Sequence, residues 1–168
     1  MLGLPYPGGP SIERCTKEGN PNAFSFPKPL KEDHGMDFSF SGLKTALKYT
    51  LRDLGEIDAS KKADLAASFQ HAICMHLVNR LESALRSVPH AKEIHVVGGV
   101  AANGYLRSLL ITTDIPVRVP TKLSYCTDNG AMIAAAGYFL FKEFGPDACE
   151  AFETSASLKT GEIVGLKR

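Results

Sequence analysis

The sequence predicts an α/β protein in which a mainly helical N-terminal part leads into a β-α-β-α segment. Three observations predict it. Apolar residues recur at Leu65, Phe69, Ala72, Ile73, Leu77, Leu81, Ala84, Leu85 and Val88, the three-four spacing of one buried helical face. Glu93–Val97 is a short β-branched run ending in paired glycines, which reads as a strand feeding a turn. The remaining segments then alternate helix, strand, helix, an order that implies neighbouring parallel strands joined by a helical crossover.

The opening Leu2–Pro10 packs three prolines and three glycines into a short stretch, so a tight loop is expected there. Ser11 caps a short helix to about Lys17, and Gly19-Asn20-Pro21 ends it. Ala23–Phe26 and Asp37–Phe40 alternate aromatic and small polar residues around a turn-rich Pro27–Gly35, predicting a hairpin. Ser41 caps a helix over Gly42–Asp53. After the loop Leu54–Ser60 comes the long helix Lys61–Val88, stopped by Pro89. Strand Glu93–Val97, helix Asn103–Leu110, strand Pro116–Val119 and helix Thr127–Phe144 complete the order. Three regions follow: 1–90 as loop, hairpin and helices, 91–145 as the β-α-β-α core, and 146–168 as a tail.

The composition is that of a globular chain: 168 residues, 44% hydrophobic, 22% charged and a net charge of +1. Disorder, collagen and coiled coil do not fit these values. No apolar run is long enough to span a bilayer and the N-terminus lacks the pattern of a signal peptide, so no membrane partner and a cytoplasmic location are expected. The balanced charge argues against a protein that binds nucleic acid chiefly by electrostatics, without excluding a shared surface. Cys15, Cys74, Cys126 and Cys149 show no metal-ligand or redox spacing, and read as reduced thiols.

The strongest chemical signal is Ile94–Asn103, IHVVGGVAAN. A strand that ends in Gly98-Gly99 and turns into a helix presents bare N–H groups at a positive helix terminus, which suits phosphate or a nucleotide. The spacing is neither a dinucleotide fingerprint nor a Walker loop. Two readings stay open: the glycines bed a ligand, or they let helix and strand pack closely. Asn103 is likewise a ligand contact or a plain N-cap. In Cys126–Gly137, Asp128 is a cap or one metal ligand, and one carboxylate does not make a metal site. His71 and His76, and His90 and His95, are five apart, not the i, i+4 spacing of two ligands on one helical face; they read as satisfied or solvent-facing. Lys44 in a first helical turn opposes the dipole, which either hints at an anionic partner or leaves a plainly solvated lysine. Gly8-Gly9 wraps a ligand or merely turns the chain.

Taken together and in order, LGLPYPGGP, FPKPL, DFSFSGLKTAL, VVGGVAANGYLR and CTDNGAMIAAAG closely resemble the C-terminal half of the tRNA threonylcarbamoyladenosine transferase family, formerly called O-sialoglycoprotein endopeptidase or glycoprotease. The resemblance weakens after about Phe144. It implies a ribonuclease-H-like lobe of the actin, hexokinase and Hsp70-like ATPase superfamily, with a helical insertion and a short hairpin. It implies transfer of a threonylcarbamoyl group from threonylcarbamoyl-AMP to the N6 amine of the tRNA adenosine beside the anticodon, an acyl transfer. Carried over position by position, Gly9 and Asn103 contact the adenylate, Gly98 and Gly99 line its bed, and Asp128 is one ligand of a divalent metal, iron or zinc in relatives. A degenerate paralogue and a small ATPase are the implied protein partners.

The departures matter too. The His-x-x-x-His motif that supplies the other metal ligands in relatives is absent, as are the acidic residues and phosphate loop of the N-terminal lobe, and Ser108–Pro120 is shorter than the family pattern. The chain reads as a truncated or proteolysed piece, expected to hold no metal by itself, to lack transfer activity alone and to self-associate through the apolar face that would meet the missing lobe. A non-catalytic scaffold is the alternative. The endopeptidase label has little support, since no H-E-x-x-H, nucleophile elbow or Cys/His dyad is written here.

Overall fold

A computed structural model of the chain describes residues 1–29 and 37–149. Its elements are α1 (Gly8–Cys15), α2 (Ser41–Leu54), α3 (Ala59–Ser87), β1 (Ile94–His95), α4 (Gly104–Leu110), β2 (Val117–Arg118) and α5 (Gly130–Phe144), with short 3-10 turns between several of them. The chain divides into two compact units, Met1–Cys126 and Thr127–Arg168. The first holds the helices α1–α4 and the parallel pair; the second holds α5.

The long helix is the spine of the first unit. Asp58 caps α3, its carboxylate accepting from the Lys61 N–H at 2.7 Å, and Val88 ends it before Pro89. Successive stretches of α3 pack into two clusters. The first gathers Leu65, Ala66 and Phe69 with Leu2 and with Leu43 and Leu47 of α2. The second gathers Cys74 and Val78 with Leu106 and Leu110 of α4. Leu43 and Leu65 are wholly buried, each contributing about 1.5–3 kcal/mol.

The expected hairpin does not form. Residues 23–26 and 37–40 are not strands, although the turn between them falls partly on residues 30–36, outside those described. Burial against α3 takes the place of strand pairing: Phe24, Phe26 and Phe40 pack on the first cluster. The backbone is satisfied there too, for Ser68 Oγ accepts from the Phe24 N–H at 3.0 Å and donates to the Asn20 carbonyl at 3.1 Å. Asp64 accepts from the Asn20 N–H at 2.7 Å. Gly19 comes so close to α3 that a Cβ would run into the Ala63 carbonyl group and lie 2.9 Å from Ala67 Cβ.

The helix starts also move. The tight opening loop gives way to α1 already at Gly8, with Pro7 at its N-cap and Pro10 tolerated in a first turn that needs no N–H. Ser41 is the first residue of α2 rather than its cap; Phe40 takes the cap position without a side-chain bond.

The β-α-β order holds, but the strands are short. β1 and β2 pair in parallel, Ile94 opposite Val117 and His95 opposite Arg118, with Ile94 N–H to Pro116 O and Val96 N–H to Arg118 O both at 2.9 Å. Along the first strand and just beyond it Ile94 is buried while His95 and Val97 are exposed. Among the described residues the sheet has these two strands. In the second unit α5 begins at Gly130 behind an Asn129 cap, whose Oδ1 accepts from the Met132 N–H at 3.1 Å, so Thr127 and Asp128 precede the helix. Residues beyond 149 lie outside those described. No described helix is long and apolar enough to cross a membrane.

Candidate functional site

Gly98 stands three residues beyond β1 with φ +87° and ψ 171°, a conformation that glycine alone adopts without strain. Residues Gly99–Ala102 follow as a 3-10 turn, closed by Ala101 N–H to Gly98 O at 2.9 Å. A Cβ built on Gly98 or Gly99 would meet nothing within 4 Å. Close packing therefore does not explain either glycine. Gly98 answers a backbone requirement, and Gly99 leaves open main chain.

Asn103 caps α4. Its Oδ1 accepts from the Leu106 N–H at 2.8 Å, and its Nδ2 donates to Gln70 Oε1 at 3.0 Å on α3. Cys74 Sγ lies 3.9 Å from the same Oδ1; burial pushes that thiol up to about 11, so it stays protonated and donates. The N-cap reading of Asn103 is thus realised, with one amide proton left over for another acceptor.

Gly8 and Gly9 lie in the first turn of α1, where backbone N–H groups have no helical acceptor. No neighbour comes within 4 Å of a Cβ on either. One turn further on, on the same face as Gly9, the Glu13 carboxylate accepts from the Gly104 N–H at 2.7 Å. That bond brings the helix carrying Gly9 to the N-terminus of the helix that Asn103 caps. Arg107 secures the other side of the turn: its Nε donates to Ala101 O at 2.6 Å and its Nη2 to Pro120 O at 3.1 Å, with Cys126 Sγ at 3.5 Å.

Glu13, Gln70 and Arg107 escaped the sequence reading. Nothing local marks Glu13, which finds its partner 91 positions away. Gln70 left a faint signal, a polar side chain beside Phe69 in the buried stretch of α3.

Asp128 belongs to the second unit and is exposed. Among the described residues no three His, Cys, Asp or Glu side chains come together as a metal site. The four histidines among the described residues are satisfied or exposed: His71 Nδ1 pairs with the Tyr105 hydroxyl at 2.7 Å, His76 accepts from the Ser39 N–H at 3.3 Å, His95 meets Glu93 at 2.6 Å, and His90 is exposed. Lys44 is exposed in the first turn of α2.

A family model described as tRNA N6-adenosine threonylcarbamoyltransferase matches residues 1–135. The chain belongs to that family. The tRNA N6-adenosine threonylcarbamoyltransferase of Thermosipho africanus is 43% identical over 163 residues, covering 95% of this chain and 48% of the relative. The proteins of the same name from Thermosipho melanesiensis and Carboxydothermus hydrogenoformans are 47% identical over 148 residues and 44% over 168. They are covered over 43% and 48% of their own lengths, against 84% and 96% of this chain. The chain thus spans about half the length of the curated relatives it matches, and within the family match lie all the residues that build the α1–α4 junction.

Proposed function

We propose that this chain forms one wall of an adenylate site in a tRNA-modifying threonylcarbamoyltransferase, as the C-terminal ribonuclease-H-like lobe of an actin and Hsp70-like fold. The observation that carries the reading is the Glu13–Gly104 bond, which sets the open first turn of α1 beside the Asn103 cap. In the transfer, N6 of a tRNA adenosine attacks the carbamoyl carbon of threonylcarbamoyl-AMP. The bond from that carbon to the phosphate oxygen breaks, AMP leaves with the electron pair, and N6 gives up a proton. The chain's part is to hold the leaving adenylate: uncovered main chain at Gly9, Gly98 and Gly99 admits its oxygens closely, and the spare amide proton of Asn103 donates to one of them. Asp128 is assigned to a divalent metal, iron or zinc, by family resemblance; the other ligands come from residues this chain does not contain.

Two further statements belong to this proposal. The acceptor tRNA, a degenerate paralogue and a small ATPase are partners of the whole enzyme. This chain alone binds adenylate weakly and does not transfer, because a cleft with one wall neither orients the amine nor excludes water.

The test supplies threonylcarbamoyl-AMP, tRNA and partner proteins to the full-length gene product and to this chain. Modified adenosine with the former and none with the latter is expected. Silence of the full-length product, under conditions that activate a relative, overturns the enzyme reading in favour of a non-catalytic scaffold.

A further inference from the structure

The bonds around Asn103 close into a ring. Asn103 Nδ2 donates to Gln70 Oε1 at 3.0 Å, Gln70 Nε2 to Thr16 Oγ1 at 3.4 Å, and Thr16 Oγ1 to the Glu13 carbonyl at 2.9 Å. The Glu13 carboxylate then takes the N–H of Gly104, next to Asn103, at 2.7 Å. The ring joins α1, α3 and α4, and each member has a fixed donor or acceptor role.

We infer that Gln70 is a positioning residue: it holds the Asn103 amide so that a single N–H, and never the oxygen, faces the adenylate. This rests on the reading that Asn103 contacts the adenylate. The amide cannot be turned round, because a flip would set Nδ2 against the Leu106 N–H and the Cys74 S–H, and Oδ1 against Gln70 Oε1. Gln70 is held in the same way, since a flip would oppose its NH2 to that of Asn103. Being 7% exposed, Gln70 meets no ligand itself and acts through Asn103. The group that Asn103 meets is therefore a hydrogen-bond acceptor, a phosphate or ribose oxygen or an adenine ring nitrogen.

The test titrates AMP into this chain and follows the Asn103 side-chain amide by NMR, with thermal unfolding of every variant measured in parallel. In the unsubstituted chain the Asn103 proton not bonded to Gln70 shifts on binding. Gln70→Leu removes the acceptor and weakens AMP binding about tenfold, the worth of one hydrogen bond. Gln70→Glu restores binding to within about threefold, because a carboxyl oxygen accepts from Asn103 in either protonation state. Should Gln70→Leu fail to fold, Thr16→Val, which frees the far end of Gln70 together with the Glu13 carbonyl, takes its place with an expected loss of about threefold. A purely structural role predicts lowered melting with AMP affinity unchanged in the folded variants, and that result overturns the inference while leaving the adenylate site standing. Absence of any AMP-induced shift in the unsubstituted chain overturns both.

Discussion

The Glu13 carboxylate and the Gly104 backbone N–H meet at 2.7 Å across 91 positions of sequence. A Cβ on Gly104 would stand 3.1 Å from the same carboxylate oxygen, a tight approach that a small shift of the Glu13 side chain relieves. The bond also places a negative charge at the start of α4, where the peptide dipoles favour it.

Glu13→Ala should therefore loosen α1 from α4 without unfolding the first unit. A loss of about 1 kcal/mol is expected, the net worth of one typical hydrogen bond, this one being exposed. Urea denaturation measures the loss, and amide exchange at Gly104 locates it. Protection of that amide equal to the parent's would disprove the tether.

His76 makes the stability pH-dependent. Its ring lies edge-on to Phe38 and Phe40, with centroids 6.0 and 5.3 Å away, and Nε2 accepts from the Ser39 N–H, so the folded state needs the neutral imidazole. Burial first, and the Arg80 charge second, lower its pKa from 6.5. A lowered value means that the unfolded chain binds the proton more readily, so stability rises with pH across the window below 6.5 and levels off above it. Melting temperature should fall as the pH drops from 7 through that window, and His76→Gln should flatten the fall. An equal slope in the variant would assign it to other groups.

Gly19→Ala should destabilise the junction of the 20–24 segment with α3, since the added methyl collides with the Ala63 main chain rather than with a movable side chain. Overpacking of this kind costs about 1–3 kcal/mol. Equilibrium unfolding of the variant gives the number, and a change of under about 0.5 kcal/mol would show that the segment can move aside.

Arg107→Met removes the donors that tie Ala101, Pro120 and Cys126 together. Cys126 is 2% exposed, and its thiol should become accessible to a labelling reagent in the variant while remaining slow in the parent. Equal labelling rates would mean that packing alone shuts the thiol in.

Several elements were legible because their causes are local. The long helix carries a periodic apolar face, and Pro89 stops it wherever it packs; its start, expected at Lys61, moves to Ala59 behind the Asp58 cap. The first strand and the turn after it follow from a β-branched run and two glycines close together, while the cap was one of two readings that the sequence left open for Asn103. The hairpin failed for the opposite reason. Alternating aromatics at Phe24, Phe26, Phe38 and Phe40 state that one side of the segment is buried, not what buries it; α3 offers Ser68 and Asp64 as hydrogen-bond partners, and the need for a second strand disappears.

The candidate site divides in the same way. The sequence alone marked Gly9, Gly98, Gly99, Asn103 and Asp128 as candidates, and the order of its five motif segments determined the family. Tertiary structure alone decided that Gly98 serves a left-handed backbone and Gly99 an open one. It also decided that Asn103 is held from α3 by Gln70, and that Glu13 joins α1 to α4. The physical reason is range: propensity, capping and periodicity act over a few residues, whereas a hydrogen bond between side chain and distant main chain exists only once packing has brought its partners within about 3 Å.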